Sequence, residues 1–350
     1  MEYVKLDDIA DITMGQSPKS DSYNKEQKGL PFFQGNADFG KINPKVRVWC
    51  SKPKKIAQPG DVLISVRAPI GAVNITKVKS AIGRGLAAIS IEDGIDREYI
   101  YRLLKSKKDE LNKLGTGSTF KAINKQIIKG IKVPVISKDL KNLRVNQLNQ
   151  VEKSIELKRS ELLKLDELIK ARFVEMFGDP ICNSLNKPVD DFINVVKLQR
   201  GFDLPVRKRN SNGNIPVFGS NGILGYHTEF KAENGIITGR SETIGNVYRE
   251  QGKYWPLNTS LFSVNTHGNN IVYLQYLIDL FHLERFCNGA GVPTLNRNDV
   301  HSQKIISVPL SEQNEFANFV QQVDKSKVAV QKSLDETQKL FDSLMQEYFG

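Results

Sequence analysis

Residues 148–178 read LNQVEKSIELKRSELLKLDELIKARFVEMFG, and residues 320–350 read VQQVDKSKVAVQKSLDETQKLFDSLMQEYFG. Their final glycines, at 178 and 350, stand 172 positions apart. A heptad laid on the first copy puts Leu148, Val151, Ile155, Lys158, Leu162, Leu165, Ile169, Arg172 and Met176 on one stripe. The same phase on the second gives Val320, Val323, Lys327, Val330, Leu334, Thr337, Phe341, Leu344 and Tyr348. Seven of nine are apolar in each, and charged residues, Gln and Ser dominate the intervening positions. A stripe this narrow is the pattern of a coiled-coil seam. The shared phase predicts that the two helices pair with each other; the alternative is two amphipathic helices on separate cores. Gly178 and Gly350 read as glycine C-caps.

The repeat extends upstream of the helices. Pro31-Phe32-Phe33-Gln34-Gly35-Asn36 ends at Gly40, and Pro216-Val217-Phe218-Gly219-Ser220-Asn221 ends at Gly225. Pro59-Gly60-Asp61 parallels Asn234-Gly235, each a turn entering β-branched residues. Arg67, ahead of Ile70-Gly71, parallels Arg240, ahead of Ile244-Gly245. Residues 114–124 parallel 288–296, and Val133-Pro134 and Val308-Pro309 close the two globular parts. Strands are predicted at 62–66, 87–91, 236–237 and 261–264, and helices at 99–114 and 271–287. The class is α+β, in the order globular part, long helix, globular part, long helix.

The 350 residues suit about two domains, and 39% apolar residues can build real cores. No apolar run is long enough to span a bilayer, and the N-terminal Met-Glu-Tyr-Val-Lys does not read as a signal peptide. Three scattered cysteines, Cys50, Cys182 and Cys287, suggest neither a disulfide framework nor a zinc site, so a cytoplasmic location is expected. The net charge is +11. Residues 1–137 hold 24 Lys and Arg against 14 Asp and Glu, whereas residues 311–350 hold 4 against 7. The basic excess therefore lies in a globular part, and a polyanion such as DNA is the natural partner.

Signatures of catalysis are missing. There is no phosphate-binding Gly-x-x-x-x-Gly-Lys-Ser/Thr loop and no adjacent prolines, so the Asn/Asp-Pro-Pro-aromatic box of amino-methyltransferases is absent. His227, His267, His282 and His301 lack metal-ligand spacing. The loops, by contrast, carry residue types that read base edges and grip phosphates, beside glycines that permit close approach. In the first half these are Gln16, Ser17, Lys19, Gln34, Asn36, Arg67, Arg84, Ser118, Thr119 and Lys121. In the second they are Arg200, Arg207, Lys208, Ser220, Asn221, Arg240, Ser241 and Thr294. Such pairs also form ordinary turns, and Asn36 and Asn221 could each hold a turn common to both halves.

Taken together, the motifs resemble the specificity subunit of type I restriction–modification enzymes. Leu6-Asp7-Asp8-Ile9-Ala10 leading to Gly15-Gln16-Ser17-Pro18 is similar to that family's opening. Ile215-Pro-Val-Phe-Gly-Ser-Asn-Gly-Ile-Leu-Gly-Tyr226 is similar to its second-domain signature. Gly291-Val-Pro-Thr-Leu-Asn296, Val308-Pro-Leu-Ser-Glu-Gln313 and Phe173-Val-Glu-Met-Phe-Gly-Asp-Pro180 add to the match. The first half departs from the pattern, with Gly117-Ser-Thr-Phe-Lys121 where the second has Val-Pro-Thr.

The resemblance implies two mixed α/β target recognition domains, 1–145 and 179–311, separated by spacer helices 146–178 and 312–350 that form an antiparallel coiled coil. Each domain would read half of an asymmetric, split double-stranded DNA site. The chain would be non-catalytic and bind no cofactor. Two methyltransferase subunits and the restriction subunits would bring S-adenosylmethionine, ATP and Mg²⁺. A helix of 30 residues is about 45 Å long, enough to span the roughly 34–36 Å between half-sites one turn apart. A stand-alone DNA-processing enzyme and a coiled-coil scaffold are the competing readings; turnover by the purified chain would favour the first, and absence of salt-dependent DNA binding the second.

The seam is directly testable. Leu162→Asp places a charge without a partner on the stripe and is expected to cost about 3 kcal/mol or more of stability. Assembly with methyltransferase subunits should fail in the same variant; wild-type affinity would show that Leu162 is not in a seam.

Overall fold

The structure, a computed structural model, describes residues 2–117, 121–209, 212–241, 243–288 and 293–350. The chain forms two compact units, Met1–Leu157 with Leu334–Gly350, and Lys158–Ser333. Long helices Lys138–Phe177 and Leu310–Phe349 each contribute to both units. They begin ahead of the expected 146 and 312, because polar ties to the globular body replace the apolar stripe in the first helix's opening turns. Ser137 Oγ accepts from Leu140 N at 3.3 Å, and Lys138 and Lys141 reach Asp93 and Asp96 at 2.6 and 2.5 Å.

Every position of both heptad stripes is buried or half-buried. Off-stripe neighbours are not: Leu157, Leu163 and Val328 are 61%, 66% and 69% exposed. In the second unit the helices run antiparallel, with Asp166 facing Lys327 at 2.5 Å and Arg172 facing Glu315 at 3.4 Å. In the first unit the start of one helix meets the end of the other, where Tyr348 donates to Gln147 Oε1 at 2.6 Å and lies under Arg144. Two of the polar seam positions, Arg172 and Lys327, are thus paired across the helices, which fixes register. Burial opposes the charge of Lys327, yet Asp166 and Asp324 hold its ammonium above the usual lysine range. Gly178 is a C-cap, with φ +82° and its N donating to Val174 O at 2.9 Å. Gly350 is not one: it lacks a positive φ and simply continues the helical pattern to Gln346 O.

The first unit carries a four-stranded antiparallel sheet in the order Asp11–Met14, Leu86–Ser90, Val62–Ser65, Val73–Ile75. Val62, Leu63, Ile64 and Leu86 through Ile89 are fully buried. Both faces of these strands are covered, which is why they read as continuous apolar runs. A five-stranded sheet follows the order Tyr23–Asn24, Trp49–Cys50, Leu30–Phe33, Ser80–Ile82, Ile56–Ala57. In the second unit one six-stranded sheet takes both places: Lys197–Arg200, Ser260–Asn265, Ala232–Gly239, Val247–Pro256, Ile215–Gly219, Gly222–His227. The same unusual pairing marks both units. Phe32 and Phe33 run parallel to Ala81 and Ile82, as Val217 and Phe218 do to Trp255 and Pro256.

Each unit closes with a two-stranded ribbon, Tyr3–Lys5 with Lys132–Pro134 and Val189–Asp191 with Lys304–Ile306. Val133-Pro134 therefore answers to Ile305-Ile306, not to Val308-Pro309, which lies past the strand. The helix expected at 99–114 is instead Gly94–Ser106, capped by Asp93, followed after a break at Lys107 by Lys108–Lys113. The helix expected at 271–287 runs only Ile271–Phe281, capped by Asn270. His282 ends it in the left-handed conformation at φ 56°, and a 3₁₀ turn, Leu283–Phe286, follows.

The long helices do not merely adjoin the second unit; they complete its core. Ile169, Phe173 and Phe177 lie four residues apart, on one helix face, and are fully buried with Tyr273 and Phe316. Phe173 and Phe316 meet edge to face at 5.3 Å, and Phe177 and Tyr273 at 5.1 Å. Truncating such a ring to alanine costs about 3–5 kcal/mol.

A buried histidine makes this unit pH-sensitive. His301 Nε2 accepts from Leu198 N at 3.0 Å, which requires the neutral ring. Burial, with Arg297 and Lys197 nearby, lowers its pKa from the ordinary 6.5. Below pH about 6.5 the unfolded chain takes up a proton that the folded chain refuses, so stability present above that pH is lost as pH falls toward the folded pKa. The urea midpoint is expected to drop between pH 7 and 5.5, and to drop less in His301→Gln, whose amide oxygen can accept but does not titrate. Parallel profiles would remove His301 as the cause.

Candidate nucleic-acid interface

The candidate loops of each unit are gathered by a backbone frame that recurs. In the first unit Gly15 N donates to Leu86 O at 2.9 Å, Gln16 N to Ile82 O at 3.0 Å and Gly83 N to Phe33 O at 2.8 Å. Val66 N donates to Gly85 O, and Ile123 N to Val66 O, both at 2.9 Å. In the second unit Gly201 N donates to Ser260 O at 3.1 Å, Phe202 N to Pro256 O at 2.8 Å and Leu257 N to Phe218 O at 2.8 Å. Arg240 N donates to Thr259 O at 2.9 Å, and Leu295 N to Arg240 O at 2.8 Å. The two glycines are needed for the approach itself. A Cβ on Gly15 would lie 2.1 Å from Gly83 O, and one on Gly201 would lie 2.2 Å from Leu257 O.

This frame corrects the pairing of the two arginines. Arg240 has the hydrogen bonds of Val66, not of Arg67. Arg67 corresponds to Ser241, as their bridges to Ala122 and Thr294 also show. The same one-residue slip appears upstream, where Gly60 (φ +95°) corresponds to Asn234 (φ +49°) rather than to Gly235. On an extended chain a slip of one residue exchanges the two faces. Val66 is accordingly buried, Arg67 exposed and Arg240 half-buried. Asn124 and Asn296 do correspond: each caps a short helix, accepting from Ile127 N and Asn298 N.

In the first unit the frame brings together Gln16, Ser17, Gln34, Arg67, Arg84 and Lys121. Gln16, Gln34, Arg67, Arg84 and Lys121 are exposed. Ser17 Oγ accepts from Arg84 N at 3.2 Å, and Lys121 O accepts from Ala68 N at 3.3 Å. Tyr23 joins them, donating to Pro18 O at 3.0 Å; burial pushes its phenol up, against the pull of Ser17 and Arg84. Lys19 heads the adjoining turn, its O accepting from Ser22 N. Asn36 opens the turn Asn36–Asp38, where Asp38 accepts from Gln34 N at 2.7 Å. Ser118 and Thr119 lie outside the described residues.

In the second unit a cleft of about 460 Å³ is lined by Asp203, Arg209, Ser220, Asn221, Asn258 and Thr259 with Leu204, Leu224 and Leu257. Ser220 and Asn221 form the hairpin tip between Gly219 and Gly222. That turn differs from the one at Asn36, so the two asparagines do not hold a common turn. Ser220 is only 4% exposed, whereas Asn221 is exposed. Arg200 is exposed and donates from Nε to Asn258 O at 3.3 Å. Ser241 N donates to Thr259 O at 3.4 Å and its backbone bridges to Thr294. Arg207 and Lys208 stand exposed on the turn Val206–Lys208 that leads to Arg209.

Asp203, Asn258 and Thr259 were missed from the sequence, whereas Arg209 belongs to the basic run 207–210 that the sequence does point to. The only signal for Asp203 was its place two residues after Gly201, as Ser17 follows Gly15. Asn258 corresponds through the frame to Arg84. Among the described residues no group of three or more His, Cys, Asp or Glu could hold a metal ion, and no helix is long and apolar enough to cross a membrane.

The description "Type I restriction modification DNA specificity domain" fits residues 1–167 and again residues 186–338. The chain belongs to that family. Two matches within one chain coincide with the two frames. A specificity subunit of the type I restriction enzyme MjaIX from Methanocaldococcus jannaschii is 22% identical over 97% of this chain and 90% of its own length. The MjaX specificity subunit from the same organism is 42% identical over 160 residues, 45% of this chain and 38% of that protein. The crystal structure of an S subunit from M. genitalium shares the fold, with a TM-score of 0.59 at 16% identity, covering 100% of this chain and 96% of that one. Members of this specificity family are DNA-recognition subunits without catalysis of their own.

Arg84 is the most direct test of the interface. Arg84→Ala, checked to be folded, is expected to relax one base position by about 1–3 kcal/mol if the guanidinium reads a base. If it grips a phosphate, the variant should lower the slope of log affinity against log salt by about one unit. Binding measured across a salt series on matched and mismatched duplexes separates the two, and no change in either would remove Arg84 from the interface.

Proposed function

We propose that this chain is the sequence-reading subunit of a type I restriction–modification complex, recognising an asymmetric, two-part DNA target and directing its partners to methylate adenine or cleave. The observation that carries the reading is the recurrence of one backbone frame with different side chains on it. At corresponding places stand Gln16 and Phe202, Ser17 and Asp203, Arg84 and Asn258, and Arg67 and Ser241. Two equal scaffolds with unequal readers would give two different half-sites.

In this reading the recognition domains are 1–145 and 179–311, and the helical segments 146–178 and 312–350 serve as spacer and as docking surface for two methyltransferase subunits. Restriction subunits join that assembly. S-adenosylmethionine, ATP and Mg²⁺ belong to those partners. The basic first 137 residues support DNA as the ligand and weigh against a scaffold that never touches it.

Exchange of one module is the test. Grafting residues 179–310 from a relative of different specificity, then mapping methylated adenines across the host genome, should change one half of the methylated sequence and leave the other intact. A change in both halves, or in neither, would overturn the two-module reading.

A further inference from the structure

The interface of the second unit holds one group that does not suit a polyanion. Asp203 is exposed beside the cleft at the reading edge, and among the described residues no cation forms an ion pair with it. Its fixed partner is a neutral amide: Asn258 Nδ2 donates to Asp203 Oδ1. Asn258 is itself held, since its backbone carbonyl accepts from Arg200 Nε at 3.3 Å, and the chain at Gly201 runs so close to Leu257 O and Pro256 O that an added Cβ would lie 2.2 and 2.5 Å from them. The carboxylate is therefore positioned rather than swinging freely.

A carboxylate facing DNA is repelled by phosphates and by every acceptor atom on a base edge. Only a donor relieves this, and in the major groove the donors are the exocyclic amino groups, N4 of cytosine and N6 of adenine. Guanine and thymine present acceptors, O6 and N7 or O4, at that place. The second Oδ of Asp203 has no hydrogen-bond partner among the described residues and can accept such a group. Asn258 keeps one N–H and its Oδ1 for the neighbouring edge. Asp203 thus works chiefly by exclusion, since it penalises wrong bases more than it attracts right ones. The first unit has no carboxylate at the corresponding place: Ser17 stands there, and its Oγ accepts from Arg84 N.

We infer that Asp203, held by Asn258, is a specificity determinant of the second unit that demands an amino-bearing base, cytosine or adenine, at one position of that unit's half-site. This rests on the proposed two-module reading.

The test uses the whole chain expressed with its methyltransferase partner, with genome-wide mapping of methylated adenines. The wild-type motif should show a position restricted to cytosine or adenine on one strand of one half-site. Asp203→Asn is isosteric, and its amide both donates and accepts, so that one position should open to all four bases, with roughly ten- to hundredfold more methylation at formerly rejected sites. Asn258→Ala should loosen the same position to a smaller extent, because it frees the carboxylate without removing it. A thermal midpoint equal to wild type shows that neither variant acts through unfolding. An unchanged motif in Asp203→Asn overturns the assignment, as does relaxation at several positions or in both half-sites. If wild type itself shows no two-part motif, the underlying two-module reading fails, and this inference with it.

Discussion

Two backbone contacts set the candidate recognition loops. At Gly15 and again at Gly201 the chain passes so close to a neighbouring carbonyl that no side chain could be accommodated. Because the contact is made by backbone atoms, it leaves the flanking side chains uncommitted. Glutamine or phenylalanine can follow the glycine, and serine or aspartate can follow that, without disturbing the hydrogen bonds that set the loop. Rigid backbone with free side chains is what a reader of variable sequence needs, because preorganised groups lose little entropy on binding.

The same logic explains why the parallel strand pair is preserved while the sheets around it differ. Phe32 and Phe33 beside Ala81 and Ile82 form part of a five-stranded sheet, whereas Val217 and Phe218 beside Trp255 and Pro256 form part of a six-stranded one. The pair carries Gly83 and Leu257, whose carbonyls the two glycines approach. Strands farther from the frame are free to merge, shorten or bulge.

Much of this was legible in the sequence. The heptad stripe was legible because helical period repeats over many residues and tolerates the polar exceptions at Lys158, Arg172, Lys327 and Thr337. The frame's glycines were legible as punctuation, and Asn124 and Asn296 as matching ends of one repeated segment, but that each caps a short helix was not. The correspondence of Arg67 with Arg240 was misleading, because matching Ile-Gly pairs downstream suggested a register that the hydrogen bonds do not keep. These strands are buried on both faces and read as continuous apolar runs, so no alternation marks a slip of one, and the deciding bonds run to residues 85 and 259, outside the strands that lead to the arginines. Helix ends were misjudged for a related reason. His282 adopts the left-handed conformation that glycine usually signals, and its side chain at 2.9 Å from Glu284 is a local detail no periodicity records. Asp203 and Asn258 escaped notice because neither belongs to a basic or glycine-rich run; their significance comes from meeting across 55 residues of sequence.

The division of the chain also orders its biosynthesis. The second unit is contiguous, Lys158–Ser333, but the first is completed only by Leu334–Gly350. Domains tend to fold from the N-terminus as the ribosome supplies them; here the first-made unit must wait for the last-made helix turns. Until then the start of the first long helix and its surroundings lack the partners that the last turns supply, Tyr348 to Arg144 and Gln147 and Phe349 to Tyr99. All residues of the later unit are thus supplied before the last residues of the earlier one, and any chaperone or partner that shields that helix during synthesis acts on the unit that was begun first.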